Sequence, residues 1–164
     1  MQEKIAKISG KVCKAGINDA PAIQSLINTF AAKGKMLPRS LSAIYENIRD
    51  FFLFVNDGKI LGVCALSVCW KDLAEIKSLA VAGKYRKKGI GSVLVESALS
   101  EAQCMGIKNL FVLTYCPQFF RKFGFKKVSK GFLPHKIWSE CIYCFKFPKC
   151  DEEAMILKLT RSGK

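Results

Sequence analysis

The stretch Leu73-Ala-Glu-Ile-Lys-Ser-Leu-Ala-Val81 runs into Ala82-Gly-Lys-Tyr-Arg-Lys-Lys-Gly-Ile-Gly-Ser92 and then into an apolar-rich segment that reaches Met105. From Ala74 to Val81 the side chains alternate, which predicts a β-strand, whereas Ile90, Leu94, Ala98, Ala102 and Met105 recur at helical spacing. A basic loop bearing glycines therefore joins a strand to a helix. Gly89 and Gly91 let backbone approach a ligand without Cβ atoms in the way. The first turn of the helix leaves N–H groups pointing outward at the positive end of its dipole. This is an anion site, suited to a pyrophosphate. Its spacing fits neither a Walker loop, Gly-x-x-x-x-Gly-Lys-Ser/Thr, nor a three-glycine Rossmann turn with its downstream acid.

Upstream, Lys11 to Lys14 reads as a short strand. Asn18 or Asp19 can cap a helix that tolerates Pro21 in its first turn, buries Ile23, Leu26, Ile27 and Phe30, and ends at Gly34. Pro38 breaks the chain at Met36-Leu37-Pro38-Arg39, and a second short helix from about Ser42 buries Ile44 and Ile48. Phe51 to Val55 and Ile60 to Val68 are apolar, β-rich runs joined by the hairpin signal Asn56-Asp57-Gly58-Lys59. Downstream, Gly106 caps the long helix and Leu110 to Leu113 makes a buried strand. A short helix spans about Gln118 to Lys122, Phe125 to Val128 is a strand, and a long irregular segment leads to a last strand from Ala154 to Leu159.

Arg86, Gly89 and Gly91, as Arg-x-x-Gly-x-Gly after a strand, resemble the acetyl-coenzyme A loop of the GNAT acetyltransferase superfamily, in which loop amides hold the cofactor's pyrophosphate. The element order matches as well. Phe120-Arg-Lys-Phe-Gly-Phe125 looks like the Tyr-x-x-x-Gly-Phe block with which members begin their sixth strand. The resemblance implies an α/β (α+β) GNAT fold, a mixed, mostly antiparallel central sheet flanked by helices. It implies that Arg86, Lys87, Lys88, Gly89, Ile90, Gly91 and Ser92 hold acetyl-CoA or CoA, with Phe120 also on the cofactor side. Leu79, Ala80 and Val81, where members splay the strand, would offer backbone to the pantetheine arm or the thioester oxygen.

Further stretches look like the short amino-acid N-acetyltransferases related to N-acetylglutamate synthase. They are Met36-Leu37-Pro38-Arg39-Ser40, Tyr45-Glu46-Asn47-Ile48-Arg49, Phe111-Val112-Leu113-Thr114, and Leu133-Pro134 with Lys136-Ile137-Trp138. The implied reaction is acetyl transfer to the α-amine of L-glutamate, the first step of arginine biosynthesis. The alternatives are a GNAT enzyme for another small amine or a protein N-terminus, or a non-enzymatic binder of acetyl-CoA or nucleic acid.

At 164 residues, half of them apolar, the chain can bury one real core, so a single domain over 1–164 is expected. No 18-residue apolar run predicts a membrane helix, and the N-terminus, with Glu3 and Lys4, does not read as a signal peptide, which leads to a cytoplasmic expectation. Lys and Arg outnumber Asp and Glu by 27 to 13, giving +14 and favouring anionic partners: coenzyme A, acidic metabolites or nucleic acid. Basic residues do not interleave with aromatics in a stripe, so nucleic acid is the least favoured of these. A homodimer is left open.

The chemistry adds its own demands. An amine must lose a proton before attacking a thioester, the developing oxyanion needs a donor, and the departing thiolate is helped by an acid. Glu75 on the central strand is the candidate base, acting through water; the alternative is a solvated carboxylate or a salt-bridge partner. Phe120 stands where the superfamily usually has its tyrosine acid, so Tyr115 is the substitute, or else a wall of the cleft; the further alternative is that no acid is needed, a coenzyme A thiolate being a tolerable leaving group. Arg39 is the first choice to clamp a substrate carboxylate with its bidentate fork, Arg49 the second, and Thr114 lies on the acceptor side.

Of the eight cysteines, Cys64, Cys69 and Cys104 fall in apolar patterns and are expected to behave as small reduced hydrophobes. Cys141-x-x-Cys144 with Cys150 and the only histidine, His135, has a ligand set suited to structural zinc. The alternative is a loop tied down by packing or by reversible pairing.

Overall fold

A computed structural model describes residues 8–133 and 150–160. The elements are β1 (Lys11–Lys14), α1 (Ala20–Ala31), α2 (Leu41–Glu46), β2 (Phe51–Asn56), β3 (Lys59–Trp70), β4 (Leu73–Val81) and α3 (Ile90–Cys104). They are followed by β5 (Asn109–Thr114), α4 (Pro117–Arg121), β6 (Lys126–Val128) and β7 (Glu153–Lys158). Among the described residues seven strands form one sheet, in the order β1-β2-β3-β4-β5-β7-β6. β1 with β2, β2 with β3, β5 with β7 and β6 with β7 are antiparallel, whereas β4 and β5 are parallel. The mixed, mostly antiparallel α/β sheet that the resemblance implied is therefore the observed one.

The chain divides into two compact units. The first takes the chain up to Leu66 and Ser78–Ser100; the second takes Ser67–Lys77 and the chain from Glu101 onward. In the first, the β2–β3 register places Phe51 opposite Ala65 and Leu53 opposite Val63. These four pack with Ile23, Ile27 and Ile44 from α1 and α2, all at most 4% exposed. Asp57 at φ 47° and Gly58 at φ 74° turn the hairpin, both left-handed as a two-residue loop of this kind requires. On the opposite face of β3, Gly62 carries α3. A Cβ there would lie 2.8 Å from Ile90 Cγ2 and 3.0 Å from Leu94 Cδ1, so only glycine lets the first turns of α3 settle on the strand.

In the second unit, Phe111 and Ala154 pack with Leu133, flanked by Cys69, Leu73, Leu113, Val128 and Ile156. The β5–β7 ladder sets Phe111 opposite Ile156 and Leu113 opposite Ala154. Beside it, Phe120 meets Phe119 and Phe125 edge-on at centroid distances of 5.0 and 5.5 Å.

Some expectations are corrected in detail. Ile48 lies in a 3₁₀ turn, Ile48–Asp50, because α2 already ends at Glu46 with Asn47 bonded back to Ile44. Met105 is 47% exposed: α3 stops at Cys104, and a reversing turn, Ile107 N–H to Ala102 O and Gly106 N–H to Gln103 O, carries Met105 outward. Cys104, two residues past the buried Ala102 and so on the opposite side of the helix, is exposed and not part of the core. Asp19 is at the N-cap of α1, but its carboxylate accepts from Gly16 N at 2.7 Å and not from α1 itself.

Candidate active site

In the first unit the site begins where β4 loses regular geometry. Its ladder with β5 runs from Leu73–Asn109 to Glu75–Phe111, and three residues later Ser78 has φ 54°. A left-handed serine inside a strand is uncommon and marks a local break, after which come Leu79, Ala80 and Val81. Ala80 is buried, and Ala82 N–H reaches back to Leu61 O at 2.9 Å, holding the strand end against β3. A 3₁₀ turn over Gly83–Tyr85 follows, and Lys87 and Gly89 are both left-handed, at φ 59° and 86°. The first α3 bond runs from Val93 N–H to Gly89 O, so the N–H groups of Ile90, Gly91 and Ser92 precede it and have no acceptor within the helix. Lys84, Arg86, Lys87 and Lys88 are exposed around them, and a methyl group at Gly89 would meet no atom within 4 Å. Open space above a cationic loop with outward amides fits a pyrophosphate.

The same unit carries the two arginines. Arg49 Nη1 donates to Ala15 O at 2.7 Å, so this guanidinium fastens the turn before β2 to the end of β1. Arg39 is held through its backbone. Asn28 Oδ1 accepts from Arg39 N at 3.1 Å, Asn28 Nδ2 donates to Arg39 O at 3.4 Å, and Gln24 Nε2 donates to the same oxygen at 3.2 Å. Neither amide was singled out from the sequence. The signal present was their spacing of one turn on α1, with both side chains half-buried.

The second unit carries Glu75, Thr114, Tyr115 and Phe120. Glu75 is half-buried on β4, beside Phe111 on the parallel strand. Thr114 is 8% exposed at the end of β5, its Oγ1 accepting from Cys116 N at 2.9 Å. The Tyr115 hydroxyl donates to Asp151 Oδ1 at 2.9 Å. Asp151 was missed because 36 residues separate the pair and no local pattern links them. Phe120 is 4% exposed, its ring spent on the aromatic cluster of its own unit.

Of the proposed metal ligands, His135, Cys141 and Cys144 lie outside the described residues. Cys150 is half-buried, its Sγ 3.8 Å from Glu152 Oε2. Among the described residues, no three His, Cys, Asp or Glu side chains gather as a metal site would require. Cys64 is fully buried on β3, and desolvation pushes its thiol up to about 12, partly countered by the charge of Lys14, so it is no nucleophile at neutral pH.

The profile of the acetyltransferase (GNAT) family matches residues 23–125. The chain is similar to an N-acetyltransferase of Chlorobaculum tepidum, itself uncharacterised, with 43% identity over 148 residues, covering 90% of this chain and 96% of that one. It is 35% identical over 121 residues to the amino-acid acetyltransferase of Mycobacterium tuberculosis, covering 72% and 69% of the two chains. Among solved structures, N-acetylglutamate synthase from Neisseria gonorrhoeae complexed with coenzyme A and N-acetyl-glutamate has a TM-score of 0.85 at 26% identity. That match covers 94% of this chain but 36% of the synthase chain. A Mycobacterium tuberculosis protein in complex with CoA has a TM-score of 0.79 at 28% identity, covering 92% and 99%.

Proposed function

The chain belongs to the acetyltransferase (GNAT) family, and from that premise we propose that it transfers acetyl from acetyl-coenzyme A to the α-amine of an amino acid, L-glutamate before others, the first step of arginine biosynthesis. The observation that carries this reading is the fold shared with a synthase solved with both coenzyme A and N-acetyl-glutamate. The cofactor supplies an acetyl thioester, and the residues of the chain do the rest.

The amides of Ile90, Gly91 and Ser92 and the cations from Lys84 to Lys88 would hold the pyrophosphate. Backbone N–H groups of Leu79 and Val81, past the break at Ser78, would donate to the pantetheine arm or to the thioester oxygen. Glu75 takes the proton of the substrate ammonium through water. Tyr115, whose hydroxyl rests on Asp151, would be the donor toward the leaving thiolate. Arg39 holds a carboxylate of the acceptor.

Replacing Arg39 tests the acceptor assignment. A charge-assisted bond contributes about 1.5–3 kcal/mol, so Arg39→Ala should raise the glutamate KM by roughly ten- to a hundredfold while leaving that for acetyl-CoA unchanged. Arg39→Lys should recover part of the loss, since an ammonium offers charge without the fork. A glutamate KM indifferent to both changes would contradict the assignment.

A further inference from the structure

Three side-chain bonds converge on the backbone of Arg39, a residue in no helix or strand. Asn28 meets both main-chain groups of that one residue, accepting from its N–H and donating to its C=O as a neighbouring strand would. Gln24, one turn earlier on α1, adds a second donor to the same oxygen. The flanks are fixed too. Pro38 has its φ locked by its ring, and Ser40 is the N-cap of α2 at φ −71° and ψ 155°, its Oγ accepting from Ala43 N at 3.1 Å. Loop backbone at a protein surface ordinarily satisfies itself with water. Ordering two rotamer-rich amides to replace that water costs conformational entropy that a mere connection between helices does not require. What the arrangement secures is the position of the Arg39 Cα, the base of a long side chain whose bidentate grip fails if its root moves by about 1 Å. Being neutral, the amides fix that root without adding a charge beside the guanidinium.

We infer that Asn28 and Gln24 are positioning residues for Arg39 and so set the preference for a carboxylate-bearing acceptor, an inference that rests on the reading of Arg39 given above. The test is a thermodynamic cycle read in steady-state kinetics with L-glutamate and acetyl-CoA. Asn28→Leu should raise the glutamate KM about tenfold with the acetyl-CoA KM unchanged, and should add nothing further once Arg39 is alanine. Gln24→Met, which removes one bond only, should give a smaller rise that also vanishes in the Arg39→Ala background, and it carries the test if Asn28→Leu does not fold. Factors that multiply in the double variant, or an equal rise in both KM values, would reduce the amides to a tie between α1 and α2 and overturn the inference. An Arg39→Ala enzyme with wild-type glutamate KM would instead refute the carboxylate clamp itself, and the inference with it.

Discussion

Glu75 and Tyr115 differ in what holds them. Tyr115 has its hydroxyl on Asp151, whereas Glu75 stands half-buried on the strand beside the fully buried Phe111. If Glu75 receives the amine proton, Glu75→Gln should depress kcat on the neutral-pH side of the profile far more than it weakens acetyl-CoA binding, because the amide keeps the shape and loses only the basicity. A pH–rate profile unaltered in that variant would assign Glu75 to structure. Both residues could be named from the sequence, Glu75 by its place on a strand that feeds the loop and Tyr115 by the missing hydroxyl at Phe120. Their contacts could not. Asp151 reaches Tyr115 only because β7 pairs with β5, and nothing in the sequence shows that Arg49, the second choice for the clamp, donates through Nη1 to Ala15 O.

At the scale of elements, the junction of β4 and α3 was legible from its change of period alone, and its boundaries hold within a residue or two. The left-handed Ser78 and Lys87 were not legible, because neither residue type advertises a positive φ; the surrounding structure imposes it. Gly89 separates two contributions to the loop. Gly89→Ala should cost about 1 kcal/mol of stability through its φ of 86° and still let acetyl-CoA raise the thermal midpoint, since a methyl group there meets open space. Gly89→Glu should abolish that rise by putting a carboxylate where the proposed site would take the pyrophosphate. A shift preserved in Gly89→Glu, measured by differential scanning fluorimetry with and without acetyl-CoA, would remove the loop from the cofactor site.

Across the described residues, the strands and the β2–β3 hairpin followed from hairpin and periodicity signals and the mixed, mostly antiparallel sheet from the family resemblance, while the order β5-β7-β6 at one end was not legible, since it inserts the last strand between two earlier ones. The cysteine and histidine cluster drawn from residues 135–150 falls mostly outside the described residues, and Cys150 alone of its members is placed. The chain spans about a third of the synthase from Neisseria gonorrhoeae, so what it shares with that enzyme is an acetyltransferase region. What remains to be measured is the acceptor that this region acetylates. Incubating the protein with acetyl-CoA and each of a set of acceptors, following coenzyme A release and identifying the product by mass spectrometry, tests it directly. The expected result is acetylation of L-glutamate at its α-nitrogen, with acceptors lacking a carboxylate turned over at least tenfold less efficiently because they forgo the charge-assisted bond to Arg39. Equal efficiency with L-glutamate and a simple alkyl amine would contradict it.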